Sequence, residues 1–255
     1  MKGWALITGA SSGIGFELAG IIAANHYHLV LVARRAAPLQ KLAAELTTRH
    51  GIQVKVLVKD LSLAAAPLEI FEELKSTPVA VLVNNAGFGW YGAFADESPE
   101  DALAMMRVNM SALVELTRRF LPPMLARKEG RILNVASTAA FQPGPFSAIY
   151  FATKSFVVSF TYALADELSG TGVTVTALCP GGTRTEFFVR AGGEGHVTSR
   201  LPMMDTRQVA EAGYRGLMRG RRIVIPGALN RFTATFARWL PIWLVATIAR
   251  RINKA

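Results

Sequence analysis

The stretch Trp4–Ala24, WALITGASSGIGFELAGIIAA, decides the fold. It opens as a short apolar run, turns through glycines 9, 13 and 15, and continues as a proline-free segment of helical character. Glycines at a strand-to-helix junction permit a tight turn. They also let an anionic group such as a pyrophosphate approach the backbone N–H groups at the helix N-terminus. A glycine-rich connection with no ligand is the competing reading of the loop alone. A P-loop is excluded, because no Gly-Lys-Ser/Thr follows.

Working outward, the strand–turn–helix unit repeats. ALIT (5–8), HLVLVA (28–33), VKVLVKD (54–60), VAVLVNNAG (79–87), RILNVAS (131–137), VTVTALCPG (173–181) and RRIVIPG (221–227) read as seven strands. They are near-continuous apolar runs without alternation, the pattern of parallel strands buried on both faces. Helical segments lie between them at 14–25, 38–50, 64–75, 99–121 and 147–169. The fourth opens with a Ser98 cap, Pro99 in the first turn and Asp101 completing a capping box, and is expected to stop at Pro122-Pro123. The fold class is α/β: a single Rossmann-type doubly wound parallel sheet of about seven strands with helices on both sides. No linker, repeat or low-complexity segment interrupts it.

The 255 residues are 51% hydrophobic and 18% charged, which suits one globular domain with a full core. Residues 1–228 are read as the main domain, with a lid segment at about 186–205, and 229–255 as its apolar, basic helical extension. Cys179 is the single cysteine, so an internal disulfide is excluded, and His26, His28, His50 and His196 are scattered; no metal site is expected. Only Lys2 precedes the first apolar run, so a signal peptide is not expected and the cytoplasmic side is the default. Of the net charge of +10, residues 1–214 carry 19 Lys/Arg against 18 Asp/Glu, and residues 215–255 carry nine Lys/Arg and no acid.

Five further motifs follow the glycine turn in order: NNAG (84–87), Asn109 within VNMSAL, Ser137 within NVAST, Tyr150 and Lys154 as Tyr-x-x-x-Lys, and PGGTRTEF (180–187). Together with the three residues between Gly9 and Gly13, they make residues 4–227 resemble the short-chain dehydrogenase/reductase family. The resemblance implies a nicotinamide cofactor and hydride transfer between a carbonyl group and an alcohol. It implies catalytic roles for Asn109, Ser137, Tyr150 and Lys154. It places cofactor contacts at Gly9, Ser11, Ser12, Gly13, Ile14 and Gly15 in the turn, at Asp60 and Leu61 beside the adenine, and at Asn85, Ala86 and Gly87 along the adenosine ribose. Tyr150 and Lys154 would meet the nicotinamide ribose, and Pro180, Gly181, Thr183 and Thr185 the nicotinamide half.

The end of the second strand selects between the two forms of such a cofactor. An acid there would bind the 2′-hydroxyl of NAD, whereas arginine accommodates the 2′-phosphate of NADP. VARR offers Ala33, then Arg34 and Arg35, so the expectation is NADP(H), with Arg34 the principal contact and no carboxylate opposing the phosphate. Tyr150 and Lys154, four residues apart, share one face of a helix. An ammonium beside a phenol favours the phenolate, so Lys154 is expected to lower the tyrosine pKa toward the useful range. Tyr150 would donate a proton to the carbonyl oxygen, Ser137 would orient that oxygen, and, by family analogy, Asn109 would hold a water chain to Lys154.

The substrate wall is expected from Trp90, Tyr91, Phe94, Phe141, Phe146, Phe187, Phe188, Met203 and Met204, in segments beyond strand ends, which implies a bulky apolar carbonyl compound. Gly192, Gly193 and Gly195 fit a mobile lid or an ordinary turn. The tail, 229–255, has no uncharged run long enough to span a bilayer. It either packs on the body or a second subunit and lines the pocket, or lies at an anionic membrane surface through Trp239, Trp243 and its arginines. Nucleic acid is not expected as a partner. By family analogy, a homodimer or homotetramer would form through the helices at 99–121 and 147–169. Two rival classes are a non-catalytic NADP(H)-sensing regulator and a membrane-surface scaffold; the intact Ser-Tyr-Lys set speaks against both.

Overall fold

A computed structural model describes residues 2–187, 191, 203–237 and 239–253. Seven strands, β1 (Trp4–Thr8), β2 (His28–Ala33), β3 (Val54–Val58), β4 (Val79–Asn84), β5 (Gly130–Val135), β6 (Val173–Leu178) and β7 (Ile223–Val224), form one sheet in the order β3-β2-β1-β4-β5-β6-β7. All pairings are parallel, and Ile7 of β1 sits between Leu31 of β2 and Val83 of β4. Strand order reverses at β1, so a crevice opens between the carboxyl ends of β1 and β4, where such sheets bind ligands.

The helices cover both faces. α1 (Gly13–Ala24), α2 (Ala36–His50) and α7 (Thr206–Met218) bury Leu18, Ile22, Leu39, Leu42 and Leu217 against one face of the sheet. α3 (Ala66–Leu74), α5 (Ala112–Arg127) and α6 (Ala148–Glu167) bury Ile70, Leu116, Phe120 and Leu164 against the other. Fully burying each such side chain stabilises the fold by about 1.5–3 kcal/mol. Two further helices, α8 (Ala228–Phe236) and α9 (Ile242–Asn253), make up most of the tail.

Two expectations change on inspection. The seventh strand is only two residues long, because the chain turns away after Val224. The helix expected at 99–121 is three pieces: α4 (Pro99–Met106), a π turn over Arg107–Ser111, and α5, which runs through Pro122 and Pro123 to Arg127. An interior proline costs about 3 kcal/mol through its lost donor and its ring clash. Burial of Met124 beyond the pair holds the helix on course, and Lys128 in the left-handed region (φ 53°) ends it. At the start of α4, Ser98 Oγ accepts from the Asp101 amide at 3.1 Å, as the cap requires. Asp101 differs from a reciprocal box, taking the Ser98 hydroxyl through its carboxylate at 2.9 Å.

A buried polar chain fixes α6 on the sheet. Asn84 Nδ2 donates to Thr117 Oγ1 (3.0 Å) and Asn134 Oδ1 (2.9 Å), and Asn134 Nδ2 donates to Thr161 Oγ1 (2.9 Å). These bonds lock β4, β5, α5 and α6 in register, since each buried amide left unpaired costs far more than a made bond contributes.

Candidate active site

The crevice at the switch point is the mouth of a cleft of about 1320 Å³. Thr8 organises its floor: its hydroxyl accepts from the Asn85 and Ala86 amides, each at 3.0 Å, and donates to the Val83 carbonyl at 3.3 Å. Asn85 Nδ2 returns the bond to the Thr8 carbonyl (2.9 Å) and the Gly9 carbonyl (3.2 Å). Gly9 (φ 67°) and Gly13 (φ 60°) adopt the left-handed conformation that side chains resist. Ser12 precedes α1 and makes no side-chain capping hydrogen bond, so the first amides of the helix keep their donors for a group in the cleft.

Ser11, Ser12, Gly9, Gly13, Ile14, Arg34, Arg35, Asp60, Leu61, Asn85, Ala86, Gly87, Pro180, Gly181, Thr183 and Thr185 all line this cleft, as do Ser137, Tyr150 and Lys154. Gly15 and Asn109 do not. A Cβ on Gly15 would strike Asn85 and the Gly9 carbonyl, so this glycine serves the close packing of the turn and is not part of the cleft wall. Asn109 sits in the π turn, where it accepts from the Phe88 amide at 3.1 Å. Its Nδ2 donates to the Phe88 carbonyl at 2.9 Å and to Thr153 Oγ1 at 3.1 Å. A Cβ on Gly87 would lie 3.0 Å from Asn109 Oδ1 and 3.4 Å from Lys154 Nζ, so glycine there lets the two side chains flank one backbone position.

Arg34 has no ion-pair or hydrogen-bond partner among the described residues and faces the cleft. Arg35 is different. It donates to Ser11 Oγ at 3.3 Å and pairs with Glu186 Oε2 at 3.1 Å, so a carboxylate does stand against the arginine pair, contrary to the reading of the VARR segment alone. The signal was the acid Glu186 within PGGTRTEF, but its partner lies 151 residues away.

At the other end, Lys154 Nζ donates to the Val135 carbonyl at 2.9 Å and lies 5.6 Å from the centre of the Tyr150 ring. Ser137 Oγ accepts from the Ala139 amide at 3.1 Å, its hydroxyl donates to the Pro180 carbonyl at 3.4 Å, and the Tyr150 phenol stands within its reach. The electrostatics differ from the sequence expectation. Burial pushes the Tyr150 phenol well above its ordinary value, the Ser137 hydrogen bond pulls it partly back, and Tyr91 adds a small rise. Burial lowers Lys154 to about 8. Thus desolvation, not the ammonium, dominates the tyrosine, because both groups are more than nine-tenths enclosed. Cys179 is buried next to them, its thiol pushed up to about 12 by that burial.

The substrate wall is also revised. Of the aromatic and methionine side chains expected there, Tyr91 and Phe187 line the cleft, with Phe187 5.2 Å from the Tyr150 ring. Trp90, Phe94, Phe141, Phe146, Met203 and Met204 do not line it, and Phe188 with the glycines at 192, 193 and 195 lies outside the described residues. Phe88, Phe151 and the tail take their place. Phe232, Phe236, Val245 and Ile252 face the cleft, and Asn253 Nδ2 ties α9 to the Pro145 carbonyl at 3.0 Å.

A parallel sheet with a glycine turn and an open helix end at its switch point defines a dinucleotide-binding α/β protein. The profile described as short chain dehydrogenase matches residues 3–194, and the chain belongs to that family. Solved relatives include a short-chain dehydrogenase from Sphingobium yanoikuyae in complex with NADPH. It has 33% identity, a TM-score of 0.85, and 92% of each chain covered. A bulky-bulky ketone specific alcohol dehydrogenase from Comamonas testosteroni shows 30% identity and a TM-score of 0.80, with 93% of this chain and 92% of that one covered. Among curated proteins, a very-long-chain 3-oxoacyl-CoA reductase from Laccaria bicolor is 37% identical over 69% of this chain, which spans 53% of that protein's length. A sulfoacetaldehyde reductase from Chromohalobacter salexigens is 38% identical, with 80% of this chain and 82% of that protein covered. The chain thus carries the fold and the cleft of this family, over about half the length of the first of these reductases. Bound NADPH in one solved relative and NAD in another, from Burkholderia phymatum at 26% identity, leave the choice between them to the residues of this chain.

Proposed function

We propose that the protein is an NADP(H)-dependent oxidoreductase that interconverts a bulky apolar ketone or aldehyde and its alcohol. The observation that carries this reading is the convergence of Ser137, Tyr150 and Lys154 at one end of a cleft whose other end presents the unpaired Arg34. The cofactor fits: the left-handed Gly9 and Gly13 on the cleft wall, a helix end without a side-chain cap and a guanidinium unpaired among the described residues together match a pyrophosphate and a 2′-phosphate. When bound, it supplies the hydride. Tyr150, kept protonated by burial, gives its phenolic proton to the substrate oxygen. Ser137 hydrogen-bonds the same oxygen and, by its bond to Tyr150, holds the phenol in line. Lys154, already lowered to about 8, offsets the phenolate left behind and can pass it a proton. Asn109 pins the Phe88 backbone beside Lys154 and, in the family's manner, supports the water relay that recharges it. Phe88, Phe151, Phe187 and the tail supply the apolar wall that favours a bulky substrate.

In this reading residues 1–228 form the catalytic domain and 229–255 its extension. The protein works on the cytoplasmic side as a homodimer or homotetramer, with the exposed Leu103, Met106, Phe156 and Tyr162 on the outward helical faces favouring such pairing. The tail touches an anionic membrane. The test is oxidation of NADPH and of NADH with small, aromatic and long-chain ketones and aldehydes. Faster turnover of NADPH with bulky apolar members supports the reading; equal use of both cofactors, or preference for small polar carbonyls, refutes it.

A further inference from the structure

The tail does two things at once. Its inner side closes the substrate cleft: Val245, Ala249 and Asn253 are buried against the body, and Ile248 and Ile252 face the cleft. Its outer side carries Leu229, Phe232, Phe236, Trp239, Ile242 and Trp243, each at least half exposed. Three of these, Leu229, Phe232 and Phe236, also line the cleft, so the exposed apolar patch and the rim of the cleft are one continuous surface. Single exposed apolar residues are ordinary, but six within fifteen residues, two of them tryptophan, form a patch that calls for a partner.

Charge selects that partner. From Arg215 to Ala255 the chain has nine Lys/Arg and no acid; Arg215 and Arg222 are paired with Glu211 and Asp166, whereas Arg231, Arg250 and Arg251, in the exposed positions of α8 and α9 that flank the patch, have no ion pair among the described residues. A second copy of this chain would bring the same uncompensated charge against it, whereas an anionic lipid surface accepts both the tryptophans and the arginines. We infer that the cleft mouth opens directly onto an anionic bilayer, through the patch formed by α8 and α9, and that the substrate is a carbonyl compound dissolved in that bilayer. Such a molecule slides from the acyl chains past Leu229 and Phe232 into the cleft without crossing water. This rests on the membrane contact proposed above and goes further by placing the catalytic cleft, and not merely the tail, against the lipid.

Cys179 is fully buried, so a cysteine introduced at the surface reports its own surroundings. Full-length proteins carrying Leu229→Cys at the rim, Trp243→Cys on the outer patch, or Thr47→Cys on α2 at the far edge of the sheet are labelled with a water-soluble maleimide. Labelling is followed with and without vesicles of phosphatidylcholine alone or mixed equally with phosphatidylglycerol. Vesicle sedimentation and light scattering run alongside. The expected result is sedimentation with the anionic vesicles, weakened by salt and by about five-fold for each of Arg250→Ser and Arg251→Ser. Labelling at Leu229→Cys and Trp243→Cys is lost on those vesicles, and Thr47→Cys is labelled throughout. Sedimentation with Leu229→Cys still freely labelled overturns the inference while leaving the membrane contact standing. No sedimentation at low salt overturns both. Protection without vesicles, growing with protein concentration and matched by a larger particle, assigns the patch to a second copy and also overturns it. NADPH turnover of a small soluble ketone by the same samples reports the reductase reading separately.

Discussion

Replacing Lys154 by methionine should stabilise the cofactor-free protein while disabling it. The ammonium is 5% exposed, and burial lowers its pKa from 10.5 to about 8. At one pKa unit per 1.36 kcal/mol, holding that charge in the fold costs about 3 kcal/mol at pH 7. Methionine of similar length removes the cost but forfeits the bond to the Val135 carbonyl, worth about 1–1.5 kcal/mol. The net gain is therefore about 1.5–2 kcal/mol, a rise in Tm of about 3–8 °C for a chain of this size. Because the folded pKa lies below the unfolded one, the unfolded state binds more protons between pH 8 and 10.5, and wild-type stability rises with pH in that window. From pH 7 to pH 9 the gain is about 1 kcal/mol. Cys179, raised from 9.0 to about 12, opposes this mainly above pH 9. Urea unfolding of both proteins at pH 7 and pH 9 measures the difference. A variant less stable than wild type at pH 7, or a wild type whose stability does not rise toward pH 9, would refute the reasoning.

Gly15→Ala drives a methyl into Asn85 and the Gly9 carbonyl, and should lower stability by about 2 kcal/mol in the same unfolding assay. Asn109→Ala strips both the amide and the carbonyl of Phe88 of their partner and should cost about 2 kcal/mol, seen as a lower urea midpoint. Glu186→Gln releases Arg35 for the 2′-phosphate; the exposed pair is worth little, so NADPH should bind about two- to five-fold tighter in a fluorescence titration, with NADH unchanged. Weaker NADPH binding in that variant would mean that Glu186 instead holds Arg35 in its working position.

The parallel sheet was legible because both-face burial leaves a direct trace: β1, β2 and β4 are buried on both faces and apolar almost throughout, and the glycine turn marks which strand leads into the helix at the switch point. The helix around Asn109 was legible in extent but not in form. A π turn is set by what Asn109 must reach, here the Phe88 backbone, and nothing in the local sequence records that partner. The same limit hid Glu186, whose ion pair crosses from the second strand's end to the loop after the sixth. Tyr150 was legible as a residue but not in its charge state, because spacing shows the neighbouring ammonium and not the depth at which both are buried. The tail's composition suits both a pocket wall and a membrane surface; in the structure α8 and α9 line the cleft with one side and expose the other.

The central claim, that Tyr150 is the proton donor of a hydride-transfer site, is tested most directly by Tyr150→Phe. The ring, its contact with Phe187 and the fold remain, and only the hydroxyl is lost. Measured on the best carbonyl substrate, kcat should fall at least about a hundred-fold, while the Kd for NADPH, losing one contact to the ribose, rises by about five-fold or less. A variant that keeps kcat within a few-fold of wild type would contradict the account.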